Sequence, residues 1–317
     1  GIRVQLACEK AVSGRRIILI REGIIMVQRK RFSIAQGLIY LLLTCISLLC
    51  ILPMLLVVAV SFTDESCIGR YGYSLIPKKL SLAAYQKLFY PGSSIYASCG
   101  ITVFITVVGT AIAVLMTFMV AYPLANKNLK YRNQFAMFFF FTTVFNSGMV
   151  PWYLICRKLG MYNNILSLLI PSMIFTPFNM FLVRNYVATI PESLMESARL
   201  DGASETRIGF QIYFPLCKPI IATITLFYGI NYWNNWFNAV MLIDNKKLYP
   251  LQMLLFRLQS DISMLSQMVT QGIQLDTPPA ESFKMATVIV TIGPLVFLYP
   301  FLQKYFVKGI MVGSVKG

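Results

Sequence analysis

Apolar and charged positions separate along this chain on the scale of whole helices rather than helix turns. Six windows, at 32–63, 88–126, 133–156, 159–183, 219–243 and 285–303, contain no Lys, Arg, Asp or Glu, and every charge lies outside them. A helix needs about 20 predominantly apolar residues to cross the hydrocarbon core of a bilayer, and even the shortest window, 285–303, is of that order. Residues 39–60 and 101–120 are apolar around the whole helix, which excludes the alternating, roughly ten-residue strands of a membrane barrel. The pattern predicts an all-α integral membrane protein with six transmembrane helices. Pro53, Pro123, Pro151, Pro171, Pro177 and Pro294 sit in or near the windows. They would argue against helices in water, but neighbouring helices in a membrane bundle compensate the freed carbonyls.

Composition agrees with lipid as the solvent. Only 13% of the residues are charged, against about a quarter in a typical soluble domain, and mean hydropathy is +0.66. A net charge of +16 would also suit a nucleic-acid binder. The windows confine those charges to loops, so the partner expected is the bilayer and not nucleic acid. The loops at 1–31, 127–132, 184–218 and 304–317 hold 18 Lys and Arg, and those at 64–87, 157–158, 244–261 and 276–284 hold 10. The richer set is expected in the cytoplasm, which puts both termini inside a multi-pass membrane protein.

The chain therefore reads as a basic cytoplasmic extension (1–31), a six-helix domain (32–303) with a cytoplasmic loop at 184–218, and a cytoplasmic tail (304–317). Residues 1–25 contain a short apolar run at 17–20, too short to span, and read as an extension or leader ahead of Met26 and its basic flank. The long apolar stretch after Arg31 lacks a small-residue cleavage site, so a signal peptide is not expected. On the outer side, Ser81 is a plausible N-cap for a short surface helix with Leu82, Tyr85, Leu88 and Phe89 on one face. Residues 262–274 are too short and too polar for a seventh span, and 244–284 read as an external loop with helical pieces. The chain has no histidine, and its seven cysteines show no metal spacing. No metal and no histidine base are expected.

The cytoplasmic loop carries the most specific signal. Pro191 fits a helix first turn, Glu192 and Glu196 lie one turn apart, and Gly202 lets the chain turn where a Cβ would obstruct it. Leu194, Ala198 and Leu200 offer a small apolar surface outside the membrane, and Pro215 and Pro219 end a second helical piece. The spacing predicts two short helices meeting at a bend. The run Glu196-Ser197-Ala198, then Asp201-Gly202-Ala203, Ile212 and Pro215, resembles the "EAA" loop of ABC-importer permeases, with Ser197 in place of the usual second Ala and Phe214 in place of the usual Leu. Similarity to the maltose-type, carbohydrate uptake family 1 permeases, and within them the polysaccharide and oligosaccharide subgroup, extends over roughly 26–317. It includes 80–88, 231–237, 248–252 and 303–309.

That resemblance implies a type I importer permease whose loop docks in a cleft on a cytoplasmic ATPase and couples ATP-driven closure to alternating access. Glu196, Ser197, Ala198, Asp201, Gly202, Ala203 and Pro215 would form the coupling site, with Glu196 meeting a basic residue of the ATPase. The implied partners are a second homologous permease subunit, two ABC ATPase subunits and an external substrate-binding protein. ATP and Mg would be used by the ATPase, since this chain has no GxxxxGK[ST] loop, and the chain itself would bind no cofactor and catalyse nothing.

For the cargo, Asn231, Asn234, Asn235 and Asn238 follow three- and four-residue steps and would share one helical face, among Trp233 and Trp236. Amides hydrogen-bond hydroxyls and aromatic rings cover sugar faces, but interhelical hydrogen bonding or an interfacial aromatic belt would use the same residues. Asn146, Ser147, Asn163, Asn164 and Asn179 are weaker candidates. The competing reading, an ion-coupled secondary transporter, would place an ionisable residue inside a span, and the six windows hold none. A membrane enzyme would lack an evident acid or base.

Overall fold

The computed structural model describes residues 17–20, 23–26, 34–171, 173–270 and 281–314, with side chains described for 36–171, 173–264 and 281–297. The chain separates at 55/56 into two compact units. The first holds a two-stranded antiparallel hairpin, β1 (Ile17–Ile20) and β2 (Gly23–Met26), in the register Ile17↔Met26, and most of α1 (Ile34–Ser61). The apolar run at 17–20 is thus a strand. The second unit is helical: α2 (Glu65–Tyr71), α3 (Ala83–Leu88), α4 (Ser94–Ala125), α5 (Arg132–Val144), α6 (Met149–Lys158), α7 (Leu166–Leu169) and α8 (Pro177–Val187) come first. They are followed by α9 (Glu192–Leu200), α10 (Glu205–Arg207), a π-helical segment (Ile208–Tyr213) and α11 (Phe214–Leu216). The unit closes with α12 (Lys218–Trp233), α13 (Phe237–Leu242), α14 (Leu251–Thr270) and α15 (Glu281–Ser314).

The charge-free windows do not all become single straight helices. The first two each hold one long unbroken helix, α1 and α4, and among the described residues these two are long and apolar enough to cross a membrane singly. The third window breaks into α5 and α6, bent by 114°, at a turn where Gly148 takes φ +83° and donates its N–H to Asn146 Oδ1 at 2.9 Å. The 13 residues of α5 reach only about 20 Å at 1.5 Å each, short of a bilayer core. The fourth window holds the four-residue α7 and then α8, separated by a stretch containing Pro171. The fifth holds α12 and α13, and α12 itself meets the 205–216 segment at 83°. The last lies within the 34-residue α15.

Broken helices free backbone carbonyls, and at membrane depth these are tolerated only where protein covers them. The fold meets that requirement with side chains from α12 and the segment after it. Tyr232 Oη donates to the Leu169 carbonyl (2.8 Å), Asn235 Nδ2 to Leu168 (3.0 Å) and Asn238 Nδ2 to Pro171 (2.8 Å). The unit's core lies where α4 packs between α8 and α12, around the fully buried Ile105, Phe118, Met180, Ile224 and Tyr228. Close approach of α4 to α12 depends on Gly109, because a Cβ there would sit 2.5 Å from the Tyr232 ring.

Ahead of α4, α3 begins at Ala83 with Leu82 as its N-cap residue, one position after the expected Ser81. Ser81 Oγ instead accepts the Ala83 N–H at 3.2 Å. Leu88 is buried, while Leu82 and Phe89 of the expected face stay exposed. Glu65 of α2 caps the start of α15, accepting the N–H groups of Glu281 (2.8 Å) and Ser282 (3.0 Å) and the Ser282 hydroxyl (2.6 Å). Asp64 caps α2 and pairs with Lys79 at 3.0 Å. Hydrogen bonds from Ser66 and the Lys79 ammonium hold its carboxyl down at about 2. The stretch 244–284 does contain the helical pieces expected of it, Lys246–Leu248 and α14; residues 271–280 lie outside the described residues.

Candidate functional site

The loop at 191–216 forms two helical arms around a turn at Gly202. The first arm, α9, stops where Asp201 leaves helical geometry and Gly202 enters the left-handed region at φ +76°. Ala203 N–H reaches back to the Ala198 carbonyl and Gly202 N–H to that of Arg199, both at 3.0 Å. These two bonds are those of a Schellman cap, which satisfies the last carbonyls of a helix and favours glycine at this position. The glycine is required by the sign of φ and not by crowding: no atom lies within 4 Å of where a Cβ would stand. The obstruction expected from the sequence is therefore absent.

The second arm starts at Ser204, whose Oγ accepts the Arg207 N–H, and it continues without interruption through the π-helical Ile208–Tyr213. Gly209 in this segment lets the Tyr122 ring of α4 approach, since a Cβ there would lie 3.2 Å from it. A π segment inside a helix commonly marks a functional position. Arg199 Nε donates to Glu205 Oε1 at 2.7 Å and ties the two arms together. Lys127 pairs with Glu192 at 2.9 Å and ties the first arm to the loop after α4.

Burial sorts the residues of this bend into two faces. Met195 and Ala198 turn inward and are buried, Ala203 is half-buried, and Tyr213 and Cys217 anchor the second arm in the core. Burial pushes the Tyr213 hydroxyl and the Cys217 thiol up, the latter to about 12, so both stay neutral. Glu196, Ser197, Leu200, Asp201, Gly202 and Pro215 are exposed, Leu200 at 89%. The small apolar surface expected from Leu194, Ala198 and Leu200 is thus divided: Ala198 belongs to the chain's own packing, and the two leucines face outward. Beneath α9 lies a cavity of about 490 Å³, walled by Tyr122, Arg132, Met195, Arg199 and Phe210 among others.

The amides of the fifth window are brought together only in part. The helix ends at Trp233, so Asn231, Asn234, Asn235 and Asn238 do not share one continuous face, contrary to their spacing. Asn235 and Asn238 are buried at 3% and 5% exposure and hold the carbonyls of the broken fourth window. Trp233 is buried and donates Nε1 to the Thr291 carbonyl at 3.0 Å. Asn231, Asn234 and Trp236 are exposed. Asn234 Oδ1 accepts from Gln252 Nε2 at 2.9 Å, and Trp236 stacks on Phe256 with ring centroids 5.1 Å apart. Among the weaker candidates, Asn163 is a backbone clamp: its Oδ1 takes the N–H groups of Asp244 (3.2 Å) and Asn245 (2.8 Å). Asn146 Oδ1 and Asn164 Oδ1 each cap a nearby N–H, Ser147 is exposed, and Asn179 is buried in α8.

The carbonyl-holding role of Asn235, Asn238 and Tyr232 was not visible in the sequence, because its partners lie more than sixty residues upstream. A signal did exist, in the pairing of a Pro171 break with amides in a distant charge-free window. Among the described residues no group of three or more His, Cys, Asp or Glu side chains is arranged to hold a metal.

Residues 121–312 match the model of the family described as "Binding-protein-dependent transport system inner membrane component". The chain is 38% identical to Protein LplC of Bacillus subtilis, over 84% of this chain and 90% of that protein. It is 36% identical to the polygalacturonan/rhamnogalacturonan transport system permease protein YtcP of the same organism, over 88% and 97%. Among solved structures it resembles a chain of a bacterial ABC transporter involved in the import of the acidic polysaccharide alginate. That match has a TM-score of 0.77 and 29% identity, and it covers 87% of this chain and 99% of that one.

Proposed function

This chain belongs to the family of binding-protein-dependent transport system inner membrane components, and on that footing we propose that it is the permease subunit of an ATP-driven importer for oligosaccharides or polysaccharide fragments. The observation that carries the reading is the bend at Gly202. It is capped at both arms, pinned by Arg199–Glu205, and presents Glu196, Ser197, Leu200, Asp201 and Gly202 outward. A rigid, exposed helical knuckle of this kind suits a docking cleft on an ATPase, and Glu196 gives it a carboxylate for a basic partner. Tied to α4 through Lys127 and Tyr122, it would pass a push from the ATPase into the helices of the core. Type I importers of this kind act through alternating access.

In this reading the six windows are six spans, with both termini and the 184–218 loop in the cytoplasm and the whole chain in the bacterial cytoplasmic membrane. The partners are a second homologous permease subunit, two ABC ATPase subunits that use ATP and Mg, and an external substrate-binding protein. The chain itself catalyses nothing. The sugar class rests on the relatives named above, two of which take their names from polysaccharide transport. The residues most open to the cargo are the exposed Asn231 and Trp236, since Asn234, Asn235, Asn238 and Trp233 all donate to backbone carbonyls.

The test is uptake by the purified complex in proteoliposomes. Entry of a labelled oligosaccharide should require ATP on the cytoplasmic side and should persist when ion gradients are collapsed with ionophores. Uptake driven by an ion gradient without ATP would reject the proposal in favour of a secondary transporter.

A further inference from the structure

Two arginines converge on one backbone oxygen at the end of α4. Arg132, the first residue of α5, donates Nε to the Leu124 carbonyl at 3.0 Å, and Arg184, near the end of α8, donates Nε to the same oxygen at 3.1 Å. The two cations therefore lie well within a Debye length of about 8 Å. Neither has a carboxylate at ion-pair distance among the described residues. Glu192 and Glu205, the carboxylates that share the cavity wall with Arg132, are taken by Lys127 and Arg199. What they do share is a helix C-terminus, worth roughly half a negative charge against two full positive ones. Burial and the neighbouring Arg132 charge both work against the Arg184 cation. Each guanidinium commits Nε to the carbonyl, which leaves its terminal amino groups as a fork of the kind that binds oxyanions.

Position distinguishes among anions. Arg132 and Arg184 immediately flank the charge-free windows at 133–156 and 159–183, which is headgroup depth for a spanning chain. From Arg132 onward, α5 has no buried residue, and Phe135 and Phe138, one turn apart, are 50% and 61% exposed. An apolar track thus leads from the guanidinium pair along the helix. A free phosphate would have no use for such a track, and a soluble partner's carboxylate would approach from the water side.

We propose that Arg132 and Arg184 form a site for the phosphate group of an anionic phospholipid, with an acyl chain laid along the exposed phenyl face of α5. Because Arg132 also lines the cavity beneath α9, together with Glu192 and Arg199, an occupied site would steady the root of the coupling bend. The proposal rests on the cytoplasmic, membrane-boundary placement of these loops and is independent of the cargo.

The experiment uses the intact importer complex, extracted from membranes and examined by native mass spectrometry for retained lipid. Nanodiscs of phosphatidylcholine with and without phosphatidylglycerol provide the two lipid environments. The wild-type complex should retain phosphatidylglycerol in preference to phosphatidylcholine. Arg132→Gln with Arg184→Gln should lower that retention about tenfold, the order expected for losing a charge-assisted contact. Arg132→Lys with Arg184→Lys keeps the charge but loses the fork, and should fall between the two. This lysine pair also carries the test if the glutamine pair fails to assemble. Equal phosphatidylglycerol retention by wild type and an assembled variant overturns the proposal. So does stripping of the retained lipid by millimolar inorganic phosphate, which would assign the site to the free anion.

Discussion

Replacing Gly202 probes the bend proposed to couple to the ATPase, at the point where the backbone itself sets the geometry. Gly202 has φ +76°, and a Cβ placed there would meet no neighbour within 4 Å, so the cost of a side chain comes from the left-handed conformation alone. For alanine that cost is about 1–2 kcal/mol, and asparagine, which tolerates this region, should cost less. A difference of this size changes the ratio of formed to unformed bend by roughly 5- to 30-fold. Proline is the severe case. Its φ is fixed near −65°, of opposite sign, and it removes the N–H that bonds the Arg199 carbonyl at 3.0 Å, a loss expected to exceed about 3 kcal/mol in total. The expected order of sugar-stimulated ATPase activity is Gly, then Asn, then Ala, with Pro far below. Membrane insertion, read by protease protection and expression level, should be unchanged throughout. Wild-type stimulation in Gly202→Pro, or an alanine variant weaker than the proline one, would exclude backbone conformation as the determinant of coupling here.

Three further predictions address packing, polar satisfaction and charge. Gly109→Ala places a methyl group 2.5 Å from the Tyr232 ring, and the overpacking should cost about 1–3 kcal/mol; a lower Tm in detergent checks it, and an unchanged Tm would contradict the close approach of α4 and α12. Asn235→Leu and Asn238→Leu each strip a buried carbonyl of its donor, at Leu168 and Pro171, and should each cost about 1–3 kcal/mol. Asn231→Leu should leave stability within about 0.5 kcal/mol and alter uptake instead, so a stability loss at Asn231 would count against a path role. Asp64 is held at about 2 in the fold, below its ordinary 3.8. A depressed carboxyl stabilises the fold above its unfolded value and loses that contribution as pH falls toward the folded one. Stability against unfolding should thus fall between about pH 4 and pH 2, with Asp64→Asn flattening that slope, and an identical slope in the variant would exclude Asp64 as its source.

The helix breaks show where the sequence was readable and where it was not. A charge-free window reports that a segment is shielded from water, and each of the six windows holds helical residues among those described. It does not report continuity, because the carbonyls freed at Pro171 are satisfied by Asn235, Asn238 and by Tyr232 nearby, far along the chain. The same gap undid the shared amide face. Three- and four-residue steps place side chains together only on an unbroken helix, and this one ends at Trp233. The bend at 191–216 was legible because its determinants are local: a proline at the start of the first arm, a glycine at the turn, and prolines beyond. Even there the physical reason differed, since the open space around Gly202 leaves backbone conformation, and not a steric limit, to select glycine. Orphaned groups met by a partner in sequence are readable; those met from another part of the fold are not.

Contact between the exposed face of the bend at 192–203 and an ATPase is the point on which the proposed coupling depends. A photo-crosslinking amino acid placed at Leu200, 89% exposed, and separately at the buried Met195, 8% exposed, tests it in the intact, transport-competent complex. The Leu200 probe should capture a chain identified by mass spectrometry as carrying a GxxxxGK[ST] nucleotide-binding loop, with a yield that changes on adding ATP, and the Met195 probe should not. Transport-competent complexes in which the Leu200 probe captures no nucleotide-binding chain would contradict that contact.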